Sequence, residues 1–246
     1  MSSQPPGCEH YKRKCALLAV CCNRMFACRL CHDAHSDHQM NRHDVQQLQC
    51  LLCGTRQKVR ENCCRCGTKF GLYCCLVCRL FDDTDKQQFH CSGCGICRVG
   101  GRNNFFHCYS CGLCLAKGLK GKHKCVQEAS RANCPICMED LHSSVVFCSV
   151  PHCGHLVHSS CYKNMMKKGI YSCPTCGESL DDMSTLWKML DAEVAATPMP
   201  KDYRDMNVQV LCKDCHKESS VNFHVVGLKC QCCGSYNTCR TATQQS

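Results

Sequence analysis

"FHCSGCGIC" at 89–97 is followed by "FHCYSCGLC" at 106–114, one nine-residue phrase written twice at an offset of seventeen. So little in it can pack that its order has to come from something other than a hydrophobic core. Each copy carries four metal-ligand side chains: His90, Cys91, Cys94 and Cys97, then His107, Cys108, Cys111 and Cys114. Neighbouring residues of an extended strand point to opposite sides, so His90 and Cys91 do not readily share one ion and each copy serves two. Cys75 with Cys78 before, and His123 with Cys125 after, raise the set to twelve ligands. That is enough for three tetrahedral sites if each copy gives half its ligands backward and half forward. The spacing predicts a short metal-linked β solenoid, in which ions replace the core that stacked repeats normally bury. It leaves open which ligands go which way. Gly95 and Gly112, each following a Cys-x2-Cys, suit turns that need positive φ.

Cysteine makes up 34 of the 246 residues, and isoleucine occurs only as Ile96, Ile136 and Ile170. Such a chain must be held by crosslinks, either disulfides outside the cell or metal inside it. The N-terminal "MSSQPPGCEHYKRK" has no apolar signal-peptide core, no stretch approaches a membrane span, and no Asn-x-Ser/Thr sequon occurs. These features favour a reducing compartment and metal. Many of the fourteen histidines sit near cysteines. Zinc takes imidazole and thiolate together, whereas iron–sulfur clusters want cysteine quartets. The formal charge of +10 invites a nucleic-acid reading, but it counts every cysteine as a neutral thiol. Twenty-eight thiolates on nine zinc ions cancel it.

Ligand spacing divides the chain into modules at 1–70, 71–128, 129–180 and 202–246, with a helix and linker at 181–201. The first holds Cys8, His10, Cys21, Cys22, Cys28, Cys31, His32, His38, Cys50, Cys53, Cys63 and Cys66, three more sites. The third holds Cys134, Cys137, Cys153, His155, His158, Cys161, Cys173 and Cys176, enough for two. The last holds Cys212, Cys215, Cys230 and Cys233, two knuckles around a hairpin in which Val221, Phe223 and Val225 alternate as in a strand, a one-zinc ribbon. His224 is read there as a solvent-facing strand residue. A helix is expected in "SLDDMSTLWKMLDAEVAATPMP", N-capped by Ser184 and ended by Pro198. Leu186, Trp187, Leu190 and Val194 form its packing face. His35 and His43 are read as surface residues, and Cys15, Cys64, Cys74, Cys148, Cys232 and Cys239 as spare thiols.

Eight ligands in four pairs, with a His-x2-His centre and a closing Cys-Pro-x-Cys, resemble the RING family. The resemblance implies a cross-brace: Cys134, Cys137, His158 and Cys161 on one zinc, Cys153, His155, Cys173 and Cys176 on the other. It implies a shallow apolar surface for a ubiquitin-conjugating enzyme, contacted by Ile136, by Pro174 and by Met165 or Met166. Gly177 stands where many RING ligases carry a basic residue that clamps ubiquitin. The "CEHY" start, the "CRLCHD" run and the repeated phrase resemble the CHY and CTCHY zinc fingers, and the whole order resembles the RING and CHY zinc-finger ubiquitin-protein ligases.

That family implies small zinc-stabilised modules, mostly irregular or β with short helices. It implies a transferase without a covalent intermediate of its own, with the CHY modules and ribbon recruiting substrates for proteasomal degradation. It also implies action in nucleus and cytoplasm, ubiquitin and its conjugating enzyme as partners, and substrates such as a tumour-suppressor transcription factor. The competing class is a non-enzymatic zinc scaffold or nucleic-acid-binding protein. It is disfavoured by the cancelled charge and by the lack of a basic recognition helix or aromatic stacking platform. Thiolate-based metal or redox sensing is compatible with the ligase reading.

Overall fold

Short intervals between ligands make for short strands. In the computed structural model, which describes residues 7–241, none of the fifteen strands among the described residues exceeds six residues. The chain forms two compact units, one up to His107 and one from Cys108 onward. Among the described residues no helix is long and apolar enough to cross a membrane.

The first unit is built on an antiparallel sheet of β1 (Cys15–Ala19), β2 (Arg24–Phe26), β3 (Gln47–Cys50) and β4 (Arg56–Lys58), in the order β2-β1-β3-β4. Leu17 stands opposite both Phe26 and Leu48, and Cys15 opposite Cys50, so one sheet face collects apolar side chains. Met40, Val45, Phe70 and Phe81 close over it, the two phenylalanines edge to face with centroids 6.1 Å apart. Between β2 and β3 lies a short helix, α1 (Arg29–Ala34), which the ligand pattern had hidden. Its N-cap is Cys28, whose sulfur accepts the N–H of Cys31 in place of the usual oxygen.

Two hairpins follow, β5 (Tyr73–Cys75) with β6 (Leu80–Asp82), and β7 (Phe89–Cys91) with β8 (Ile96–Arg98). Each turns through a Cys-x2-Cys. Gly71 meets β6 closely: a Cβ there would lie 2.7 Å from the Asp82 nitrogen and 2.8 Å from its carbonyl oxygen. Strand β9 (Phe105–Cys108) spans the divide and runs into β10 (Leu113–Ala116).

In the second unit β11 (Cys148–Ser149) pairs with β12 (Val157–His158), which leads directly into α2 (Ser159–Lys167). Helix α3 (Ser184–Ala196) presents Leu186, Trp187, Leu190 and Val194 as its half-buried face, as expected. Trp187 packs against Tyr171 on one side and Tyr236 on the other, at 5.5 and 5.9 Å between centroids. Ser184 is not the N-cap: the cap is Met183, and the Asp182 carboxylate reaches over to accept the Ser184 N–H.

The ribbon also differs from expectation. Its hairpin is β13 (Asn207–Cys212) with β14 (Glu218–Asn222), folded around the first knuckle rather than between the two, and β15 (Thr238–Arg240) adds a third strand on β13. The alternation stops at Asn222, Val225 is exposed, and His224 turns inward to bond the Thr197 carbonyl oxygen at 3.0 Å. The buried Val208 and Val210 of β13 supply the apolar face instead.

Candidate metal centres

A recurring backbone unit positions the ligands. After at least five of the Cys-x2-Cys knuckles the next residue adopts left-handed φ and donates its N–H to the carbonyl of the first cysteine. Gly54 to Cys50, Gly95 to Cys91, Met138 to Cys134, Gly177 to Cys173 and His216 to Cys212 all show it, at 2.8–3.0 Å. The turn aims both sulfurs at one point. Glycine favours this conformation, but Met138 and His216 show that the knuckle accepts a side chain.

Among the described residues, nine groups of three or more ligand side chains bring one ligand atom each within 4.8 Å of one another. Cys8, His10, Cys28 and Cys31 form one: Cys28 lies 3.7 Å from Cys8, 3.5 Å from Cys31 and 3.7 Å from His10 Nδ1. Cys21, Cys22, His32 and His38 form the next. Two adjacent cysteines serve one centre here because they sit in the turn after β1, where strand alternation no longer applies. Cys31 and His32 are adjacent too but diverge to different centres, being about 100° apart on α1. His32 Nε2 faces Cys21 at 3.3 Å while Nδ1 is held by Asp33 at 2.9 Å, the outer contact that orients a ligating imidazole. Cys50, Cys53, Cys63 and Cys66 form the third group. Thr55, through its side chain and then its backbone, draws the Cys53 thiol down to about 6, and Thr68 lowers Cys66 in the same way.

The repeated phrase resolves as its hairpin register requires. His90 stands directly opposite Cys97, so both leave the same face, and they join Cys75 and Cys78. Cys91 leaves the other face and, with Cys94, meets His107, whose Nδ1 lies 3.7 and 3.2 Å from their sulfurs. The ring lies flat against Gly93, where a Cβ would come within 2.5 Å of it. In the first copy the first and last ligands therefore point backward and the middle two forward. Cys114 holds the position that Cys97 holds one copy earlier. In the second unit Cys108 and Cys111 converge with His123 and Cys125: Cys108 to Cys125 is 3.8 Å, and His123 Nε2 lies 3.6 Å from Cys111 and 3.2 Å from Cys125.

Further on, Cys137 lies 3.2 Å from His158 Nδ1, and Cys161 reaches both Cys134 and Cys137. Cys153 reaches Cys173 and Cys176. His155 stands two residues from Cys153 with its buried Nδ1 making no hydrogen bond, as a ligand atom reserved for metal would. These contacts trace the crossed pairing. In the ribbon Cys212 faces Cys233 at 3.6 Å and Cys215 faces Cys230 at 3.7 Å.

The donor set fits zinc. A tetrahedron with Zn–S bonds of about 2.3 Å has sulfur–sulfur edges of about 3.8 Å. The sulfur–sulfur contacts fall at 3.5–3.8 Å, well beyond a disulfide bond, and no cysteine is disulfide-linked. Of the spare thiols, Cys15 is fully buried and pushed up to about 12 by that burial, whereas Cys64 and Cys232 are exposed. His35 and His43 are exposed.

The four residues expected at the apolar loop surface differ in exposure. Ile136 is 43 % exposed and Pro174 is exposed. Met165 is not available: it is 5 % exposed, packed with Cys153, Cys173 and Leu180 because α2 turns that side toward the second zinc loop. Met166 is half-buried and retains an open edge.

Comparison with known proteins agrees with this layout. The CHY zinc finger family matches residues 8–73, the RING finger domain family 132–177 and a zinc-ribbon family 181–239. The chain is 46 % identical over 245 residues to the E3 ubiquitin-protein ligase RZFP34 of Arabidopsis thaliana, covering 96 % of this chain and 84 % of that one. It is 45 % identical over 239 residues to the E3 ubiquitin-protein ligase SRFP1 of Oryza sativa subsp. japonica, covering 96 % and 92 %. The zinc finger protein BRUTUS of Arabidopsis thaliana is 43 % identical over 236 residues, which are 94 % of this chain but 19 % of that much longer protein. Clustered zinc ligands, a crossed eight-ligand module and full-length ligase relatives converge on one conclusion: the chain belongs to the RING and CHY zinc-finger E3 ubiquitin-protein ligases and is a zinc-binding ubiquitin transferase.

Proposed function

We propose that this ligase works by positioning, with Ile136, Pro174 and Met166 contacting the ubiquitin-conjugating enzyme. The observation that carries it is the pair of apolar loop tips, Ile136 and Pro174, left exposed by knuckles whose backbones are fixed from behind. The module's zinc-ligand cysteines are committed to metal, so the reacting thioester belongs to the partner. A substrate lysine attacks its carbonyl, the new C–N bond forms, the C–S bond breaks, and the thiol returns to the conjugating enzyme. The RING lowers the barrier by restricting the charged partner to conformers open to attack.

In this reading nine zinc ions are structural, and Lewis-acid chemistry plays no part in transfer. The CHY modules and ribbon recruit regulatory proteins, a tumour-suppressor transcription factor among them, in nucleus and cytoplasm for proteasomal degradation. The test is autoubiquitination by the purified zinc-loaded chain with activating enzyme, a panel of conjugating enzymes and ATP, beside Ile136→Ala. Ladders from the parent and their loss in the variant support the contact assignment; equal ladders refute it. Native mass spectrometry counts the zinc, and fluorescent tagging in cells checks location.

A further inference from the structure

We propose that Lys213, a ribbon residue, supplies the cation that holds ubiquitin at the edge of the RING, in place of a basic side chain at position 177. The inference rests on the ligase reading above and names a positioning residue for it. A Cβ built on Gly177 would lie 3.0 Å from Lys213 Cδ, 3.7 Å from Cε and 3.8 Å from Cγ. The aliphatic stem of Lys213 therefore lies across the backbone of the residue that follows the last RING ligand.

Left-handed φ alone does not explain glycine at 177. The matching position of the other RING knuckle carries Met138 at φ 63°, and that of the first ribbon knuckle carries His216 at φ 57°. What distinguishes Gly177, at φ 79°, is that the space a side chain would take is filled by Lys213.

The backbone at Lys213 is tied to the RING by hydrogen bonds. Its N–H donates to the Asn237 carbonyl at 2.9 Å, and the Asn237 amide donates to the Gly177 carbonyl at 2.8 Å. The next residue, Asp214, accepts the N–H and hydroxyl of Ser179 at 2.8 and 2.9 Å. Position 213 is thus fixed relative to the exposed Pro174, three residues before Gly177.

The ammonium is also uncommitted. Among the described residues no carboxylate lies within ion-pairing distance of it, while the neighbouring Glu178 is engaged by Lys124 at 3.7 Å and His216 at 3.4 Å. A lysine whose stem packs on backbone keeps its three donors for an incoming partner. Beside the conjugating-enzyme surface, those donors suit carbonyl and carboxylate acceptors of a ubiquitin that a thioester alone leaves free to swing. Holding it restricts the charged complex to attack-ready geometry without adding affinity for the uncharged enzyme.

The test is single-turnover discharge of a preformed conjugating enzyme–ubiquitin thioester onto free lysine, using the full zinc-loaded chain and Lys213→Ala, Lys213→Glu and Lys213→Arg. Discharge should slow about tenfold in Lys213→Ala, the scale of one lost charge-assisted contact, and more in Lys213→Glu. Lys213→Arg should retain most of the rate, and all three should bind uncharged conjugating enzyme and zinc as the parent does. Parental rates in Lys213→Ala and Lys213→Glu overturn the inference. So does a slowed Lys213→Ala that has also lost zinc or affinity for the uncharged enzyme, since that marks a merely structural residue. A parent that fails to accelerate discharge overturns the ligase reading and takes this inference with it.

Discussion

Replacing Asp214 by alanine should loosen the ribbon from the RING without removing a zinc ligand. One carboxylate oxygen accepts the Ser179 N–H and the Asn237 amide, both at 2.8 Å. The other accepts the Ser179 hydroxyl at 2.9 Å and the Ser235 hydroxyl at 2.6 Å. Ser235 and Asn237 are 3 % and 7 % exposed, so alanine leaves two donors buried without this acceptor. At about 1–3 kcal/mol for each such group, partly relieved because Asn237 keeps its bond to Gly177, the loss should be about 3 kcal/mol. Half-buried Ser179 can rehydrate and adds little.

The pH dependence has a definite sign. Burial pushes the Asp214 carboxyl up, but the Ser235 hydroxyl, the Ser179 N–H and the Asn237 amide together hold it below the usual 3.8. A depressed folded pKa gives stability that is present above the unfolded value and lost as pH falls through the folded one. The junction should therefore be insensitive to pH from about 6 to 8, and the cost of Asp214→Ala constant over that window. Urea unfolding at fixed free zinc measures the loss, and hydrogen exchange at residues 177–180 and 235–238 locates it. A loss under about 1 kcal/mol with unchanged amide protection would refute the reasoning.

Four further outcomes are expected. Ile136→Ala should weaken conjugating-enzyme binding about fivefold by calorimetry with zinc content unchanged, since 43 % of an isoleucine worth about 1.5–3 kcal/mol remains to be buried there. Gly71→Ala should cost about 1–3 kcal/mol in thermal or urea unfolding, because the new methyl meets the backbone of Asp82, a fully buried residue. In native mass spectrometry Cys97→Ala should lose one zinc and Cys64→Ala none. Strong chelation should unfold the chain in stages by circular dichroism, each structural zinc contributing about 10–16 kcal/mol in small finger peptides.

Ligand chemistry was legible from residue spacing alone because a tetrahedral ion constrains which side chains must lie a few residues apart. The doubled phrase at 89–97 and 106–114 declared shared metals, and strand alternation already separated His90 from Cys91. The eight ligands from Cys134 to Cys176 declared a crossed brace through their resemblance to RING modules. Alternation misleads where the chain is not extended, which is why Cys21 and Cys22 share a centre in a turn while Cys31 and His32 part on a helix.

Sequence by itself thus determined the family and the zinc-module fold class, since these depend on residue type and on separations of a few residues. Tertiary structure alone decided what depends on long-range approach. It turned Met165 into core, moved the ribbon hairpin onto β13, and used Trp187 and Asp214 to bind helix, RING and ribbon together. It also laid Lys213 over Gly177, thirty-six residues away along the chain. No local pattern encodes such a contact, because it is set by the docking of two separately stabilised zinc modules rather than by either one.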